Sequence, residues 1–218
     1  MSFTQQLIAG SGSHWKAYVQ HEFVQKLADG SLPKAGFQHY LKQDYLYLFQ
    51  YSRIFALAIF KAENFAQMET AQKMLNAVLS EIQLHIDYCR SWGIDEKTLF
   101  ATQESAACIA YTRYVLDCGM NGSLAELYAA VAPCALGYAE IGRWIADNRL
   151  SPPNNPYQSW IDMYASAEFQ QSAVEMDSIL DELCRDLTEK QLAKVQQIFT
   201  TTTRMEVGFW QMGLDCFL

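Results

Sequence analysis

SLAELYAAVAPCALGYAEIGRW, residues Ser123 to Trp144, reads as one long helix. Ser123 stands at its N-cap, with Glu126 three residues on as the capping-box partner. Pro133 falls in the middle, where it deletes one i→i−4 hydrogen bond and bends the helix. Cys134 follows at once, and Tyr138 lies one turn further on the same face. Ala129, Ala130, Ala132, Ala135, Gly137 and Ala139 surround them, so another backbone or a ligand can come close. Two readings stand on this spacing: an active-site wall presenting a thiol and a phenol, or a buried cysteine in a tight helix–helix contact. Free cysteine is commonly buried as a small hydrophobe, so the rest of the chain must separate the two.

The chain has 218 residues, half of them apolar, with 5 prolines and 11 glycines. That leaves little material for linkers and predicts a single domain, 1–218. A net charge of −8 argues against nucleic acid or an anionic membrane as partner, since both require clustered Lys and Arg. The N-terminus lacks a basic segment followed by an apolar one, so no signal peptide is expected. The longest uncharged apolar run, Leu127 to Ala139, is broken by Pro133 and falls short of the roughly 20 residues of a membrane span. Six cysteines (Cys89, Cys108, Cys118, Cys134, Cys184 and Cys216) form no CxxC motif. Reduced thiols and a cytoplasmic location are expected. With 12 Tyr, 12 Phe and 5 Trp, the rings should line a pocket or an oligomer interface as well as the core.

Outward from the central stretch, every segment reads as helix. Residues 3–9 form a short one, ended by Gly10-Ser11-Gly12. Ser13 caps a helix running to Ala28, which places His14 and His21 seven apart on one face. Those histidines read as surface or capping groups before haem ligands. From Pro33 to Glu63, Phe37, Tyr40, Leu41, Asp44, Leu48, Tyr51 and Phe55 recur at spacings of three and four, so Asp44 falls on the apolar face. A carboxylate there is costly unless it is paired, and it marks either a structural contact or a ligand site. The next helix, about Ala66 to Trp92, carries Glu81 and His85 at i, i+4. That is a metal-ligand spacing, but a di-iron site needs further Glu and His on other helices, so a charge-assisted side-chain pair, or one helping to brace neighbouring helices, is preferred. Residues 94–103 read as a polar connection. Helices follow at Ser105–Cys118, through the central stretch to Asn148, from Pro156, from Ala167 to Arg185, and from a Thr188/Gln191 capping box to Asp215. On the last, Glu206 sits among Phe209 and Trp210. The fold class is all-α, a helical bundle of seven or eight helices with ligand sites between facing helices.

The inward positions that stand out are Asp44, Tyr47, Tyr111, Cys134, Tyr138, Tyr164, Glu206 and Phe209. A thiol, two carboxylates and several phenols suit covalent catalysis on a flat, polar heteroaromatic. Six segments, in order, carry a resemblance: HEFV (His21–Val24), LPKAGFQHYLKQDYLYL (Leu32–Leu48), AYTRY (Ala110–Tyr114), PCALGYAEIG (Pro133–Gly142), NPYQSWIDMYAS (Asn155–Ser166) and MEVGFWQMG (Met205–Gly213). In these the chain resembles the thiaminase II (TenA) family, cysteine-bearing branch, with its haem-oxygenase-like fold.

The resemblance implies that Cys134 is the nucleophile and Glu206 the second catalytic residue. It implies that Asp44 binds the amino group and ring nitrogen of a pyrimidine, with Tyr47 stacking on the ring. Tyr111, Tyr138, Tyr164 and Phe209 complete the substrate-binding set. The implied activity is hydrolysis of 4-amino-5-aminomethyl-2-methylpyrimidine, or of thiamin, to 4-amino-5-hydroxymethyl-2-methylpyrimidine, with no cofactor and no metal. A homotetramer with a small-molecule partner is also implied. Two alternatives stay open: a metal- or haem-dependent oxidase of the same fold using His14, His21 or Glu81/His85, and a non-catalytic pyrimidine-binding regulator.

Overall fold

In the computed structural model, which describes residues 2–218, the described residues form eleven helices and no strand. In order they are α1 (Phe3–Gly10), α2 (Ser13–Val19), α3 (Glu22–Asp29), α4 (Lys34–Lys61), α5 (Phe65–Ser91), α6 (Glu96–Phe100), α7 (Ala106–Asn121), α8 (Leu124–Asp147), α9 (Gln158–Ala165), α10 (Ala167–Cys184) and α11 (Glu189–Asp215). The all-α class is borne out. The helices fall into two compact units, one of Met1–Pro33 with Tyr128–Gln211, the other of Lys34–Leu127 with Met212–Leu218.

In the first unit, α1 is closed by a capping box in which Ser2 Oγ accepts from Gln5 N and Ser2 N donates to Gln5 Oε1. Ser2 Oγ lies 3.1 Å from Asp177 Oδ1, and Phe3 N donates to Asp181 Oδ1 at 2.9 Å. These two α10 carboxylates meet the positive end of α1. The helix expected from Ser13 to Ala28 is in fact two. Gln20 leaves helical geometry at φ −120°, ψ 31°. His21 then becomes the N-cap of α3, its Nδ1 accepting from Phe23 N at 3.2 Å. His14 and His21 therefore share no helix face. The cap of α2 is Gly12, at φ 56°, rather than Ser13.

α8 runs unbroken through Pro133, with Ser123 Oγ accepting from Glu126 N at 3.3 Å before its first turn. By length and composition alone it could cross a membrane, more than the run Leu127–Ala139 indicated, but 67% of its most apolar window is buried inside the protein. That is the pattern of a core helix. The loop before α9 is fixed by Asn155, whose Nδ2 donates to the carbonyls of Leu27 (3.0 Å) and Ala28 (2.8 Å) while its Oδ1 accepts from Tyr157 N (2.9 Å). The turn it makes delays α9 to Gln158, two residues past the expected start at Pro156.

In the second unit, α4 buries Phe37, Tyr40, Leu41, Asp44, Leu48, Tyr51 and Phe55, the stripe its spacing predicts. Gln43, also buried, donates through Nε2 to Gln103 O at 2.9 Å and accepts through Oε1 from Ser105 N at 2.8 Å. One side chain thus satisfies the backbone where the chain enters α7. Within the expected polar connection 94–103 lies α6, a five-residue helix capped by Asp95, which accepts from Thr98 N at 2.7 Å. The split of α2 from α3 and the presence of α6 help raise the count above seven or eight.

Candidate active site

The eight candidate residues fall into two sets, each within one unit. The second unit holds Asp44, Tyr47 and Tyr111, all buried. Tyr47 follows Asp44 by three residues on the same face of α4. Its ring centroid lies 5.1 Å from that of Tyr111 on α7, with hydroxyl oxygens 3.4 Å apart. Tyr51 stacks against Tyr47 with centroids 5.4 Å apart. Tyr111 is 1% exposed, whereas Tyr114, its neighbour in AYTRY, is only half-buried.

Asp44 has a partner that sequence reasoning paired with Glu81 instead. His85 on α5 places Nδ1 3.5 Å from Asp44 Oδ2, and its Nε2 sits 2.8 Å from the carbonyl of Leu41. Burial raises the Asp44 carboxyl to about 7. Burial, and then the charge of Asp44, raise Glu81 to about 7 as well. Burial lowers His85. A carboxyl group that keeps its proton near neutrality offers a donor and an acceptor side by side. That pair matches a heteroaromatic edge in which an amino group adjoins a ring nitrogen. Among the described residues, no group of three or more His, Cys, Asp or Glu is arranged to hold a metal ion.

The first unit holds Cys134, Tyr138, Tyr164, Glu206 and Phe209. On α8, residues 127–133 are all buried, and exposure returns at Cys134. Cys89, Cys108, Cys118 and Cys184 are buried, and Cys216 is exposed. Burial pushes the thiols of Cys89 and Cys108 to about 12 and that of Cys184 to about 11, so these three stay protonated. Glu206 and Phe209 are each 2% exposed on α11. Tyr138 packs against Tyr164 (centroids 4.8 Å), Trp210 (5.2 Å) and Trp160 (5.8 Å), and Trp160 meets Tyr164 at 4.4 Å. Trp160 and Trp210 are absent from the sequence-based set; each lies one turn from a member of it, on α9 and α11.

Two glycines of α8 make this aromatic wall possible. A Cβ on Gly137 would fall 2.0 Å from Tyr18 Cε1, and one on Gly142 would fall 2.4 Å from the carbonyl carbon of Tyr164. Tyr18 and the end of α9 therefore rest directly on the backbone of α8.

A protein of Shewanella denitrificans described as having a heme oxygenase-like fold superposes with a TM-score of 0.78 at 13% identity, covering 97% of this chain and 92% of its own. The fold is thus haem-oxygenase-like. More narrowly, the model of the TENA/THI-4/PQQC family matches residues 11–216, and the chain belongs to that family. An aminopyrimidine aminohydrolase of Halalkalibacterium halodurans is 41% identical over 216 residues, 99% of this chain and 96% of its own. An uncharacterized protein of Haemophilus influenzae is 66% identical over 211 residues, 97% of this chain and 98% of its own. A crystal structure of a TenA family transcription regulator from a Silicibacter species superposes with a TM-score of 0.91 at 40% identity, covering 97% and 96%.

Proposed function

We propose that the protein is an aminopyrimidine aminohydrolase of the thiaminase II type, acting in thiamin metabolism. Cys134 carries the reading: it regains exposure midway along a buried stretch of helix. Full-length similarity to an aminopyrimidine aminohydrolase supports the same conclusion.

Asp44 holds the amino group and ring nitrogen of the substrate, Tyr47 stacks on the ring, and Tyr111 supports Tyr47. Protonation at ring nitrogen by the carboxyl groups, Glu206 among them, makes the ring electrophilic. The Cys134 thiolate forms a C–S bond to a ring carbon, and the ring loses aromaticity. The 5-aminomethyl C–N bond then breaks, and ammonia leaves with a proton. Water adds to the exocyclic methylene, the C–S bond breaks, and the aromatic hydroxymethyl pyrimidine is released. The sum is substrate plus water to alcohol plus ammonia. Glu206 or the tyrosines take the thiol proton, and Tyr138, Tyr164 and Phe209 wall the site.

The chain acts as one functional domain, 1–218, and as a cytoplasmic homotetramer. Phe65, Met68, Leu79 and Leu84, exposed on α5, support the assembly. Light scattering on the purified protein checks it. The Silicibacter protein is described as a transcription regulator; for this chain, with a net charge of −8, direct DNA contact fits poorly.

The deciding experiment compares wild type with Cys134→Ala on the aminomethyl pyrimidine and on thiamin, with the hydroxymethyl product followed by chromatography. Cysteine-dependent product from the aminomethyl compound, faster than from thiamin, is expected. No product from either with folded protein overturns the reading.

A further inference from the structure

His85 touches Asp44 in a way that fixes a proton count. A carbonyl oxygen only accepts, so the buried contact of His85 Nε2 with Leu41 O at 2.8 Å requires the hydrogen on Nε2. In the neutral imidazole, Nδ1 then carries a bare lone pair. That nitrogen lies 3.5 Å from Asp44 Oδ2, and both side chains are about nine-tenths buried. A bare imidazole nitrogen and a carboxylate oxygen this close, with little water to separate them, repel. The contact is favourable only when one proton lies between them, either on Asp44 as a neutral acid or on Nδ1 beside a carboxylate.

We propose that His85 is a positioning residue for Asp44, and that the pair shares a single proton which it lends to the ring nitrogen of the bound aminopyrimidine. This rests on the hydrolase reading above. The proton leaves the pair as the ring becomes cationic, and it returns when the thiolate departs and aromaticity is restored. The lone-pair contact left behind during the cycle makes Asp44 the stronger base, which favours that return. The Leu41 carbonyl keeps His85 in the tautomer that makes this possible.

The titratable groups around the pair fit this role. On α5, Glu81 lies one turn before His85, and its negative charge favours a protonated imidazole. Also on α5, Cys89 lies one turn after, with Sγ 4.0 Å from the same Leu41 carbonyl. On α7, Cys108 Sγ lies 3.8 Å from Gln43 O. Both thiols stay protonated, so the mobile protons belong to Asp44, His85 and Glu81.

The chain has four histidines, His14, His21, His39 and His85, so nitrogen-15 spectra resolve the ring of interest, with His85→Gln assigning its signals. In wild type, His85 should show a protonated Nε2 and an Nδ1 whose shift changes with pH. In Asp44→Asn that Nδ1 response should move by more than one pH unit. Identical Nδ1 titration in both proteins overturns the proposal. The second arm is kinetic. His85→Gln keeps an amide donor for the Leu41 carbonyl but places nothing at Nδ1. Its kcat should fall at least tenfold with KM changed less than threefold, and the alkaline limb of kcat/KM should move to lower pH. A loss of rate with an unmoved pH profile marks His85 as a structural brace and also overturns the proposal. If wild type turns over neither pyrimidine, the hydrolase reading fails, while the histidine spectra still decide whether the proton is shared.

Discussion

The phenol of Tyr47 on α4 lies against that of Tyr111 on α7, hydroxyl to hydroxyl at 3.4 Å and ring to ring at 5.1 Å. Ring contact holds this pair more than the long hydrogen bond does. Tyr111→Phe should therefore cost less than about 1 kcal/mol of stability, because the rings stay packed. The hydroxyl of Tyr47, having lost this partner, should hold the ring's orientation less firmly, and kcat/KM should fall about tenfold, or about 1.4 kcal/mol. A thermal melt paired with the turnover assay separates the two effects.

Alkylation should sort the cysteines by position. Cys134 and Cys216 are accessible, and the other four are buried. Brief treatment with iodoacetamide, read by mass spectrometry of peptides, should label those two only. The hydroxymethyl pyrimidine should protect Cys134 and leave Cys216 unchanged. Equal protection of both, or labelling of Cys108, would contradict the assignment.

Gly137 and Gly208 should respond oppositely to alanine. At Gly137 the new methyl would strike the ring of Tyr18, which is fully buried, and overpacking of this kind costs about 1–3 kcal/mol. At Gly208, within α11, a Cβ meets nothing within 4 Å. There the gain in helix propensity should stabilise by about 0.5–1 kcal/mol. Urea midpoints of the two variants check both signs.

The buried carboxyls give stability a definite pH dependence. Asp44 and Glu81 titrate at about 7 in the folded chain, against 3.8 and 4.5 for the free groups. Between those values the folded state binds more protons than the unfolded one, so stability falls as pH rises from about 4 to 7 and levels off above. His85 is lowered below 6.5 and works in the opposite sense below that pH. His39, likewise lowered by burial, adds to this opposition, which fades as pH rises past 6.5. Urea unfolding from pH 5 to 8 should show the decline, and Asp44→Asn should flatten it.

The long helices are legible because their signals are local. The stripe from Phe37 to Phe55 and the cap at Ser123 each lie within a few turns of one helix. The break at Gln20–His21 is not legible in the same way. Trp15, Tyr18, Val19, Phe23 and Leu27 keep helical spacing across it, and histidine is an uncommon N-cap. α6 is too short to show a period, although Asp95 is a cap signal. Asp44 shows its cost on the apolar face of α4, yet its partner sits on α5. The i, i+4 pattern drew His85 toward Glu81, and only the packing of the two helices reveals the Asp44 contact. Trp160 and Trp210 read as ordinary core residues until their rings meet Tyr138.

The contact of Tyr164's backbone with Gly142 has an evolutionary consequence. The aromatic wall is registered by one helix lying bare against another. Any side chain at position 142 would have to part the two helices, so drift at that position is closed to the chain for as long as the rings keep their place.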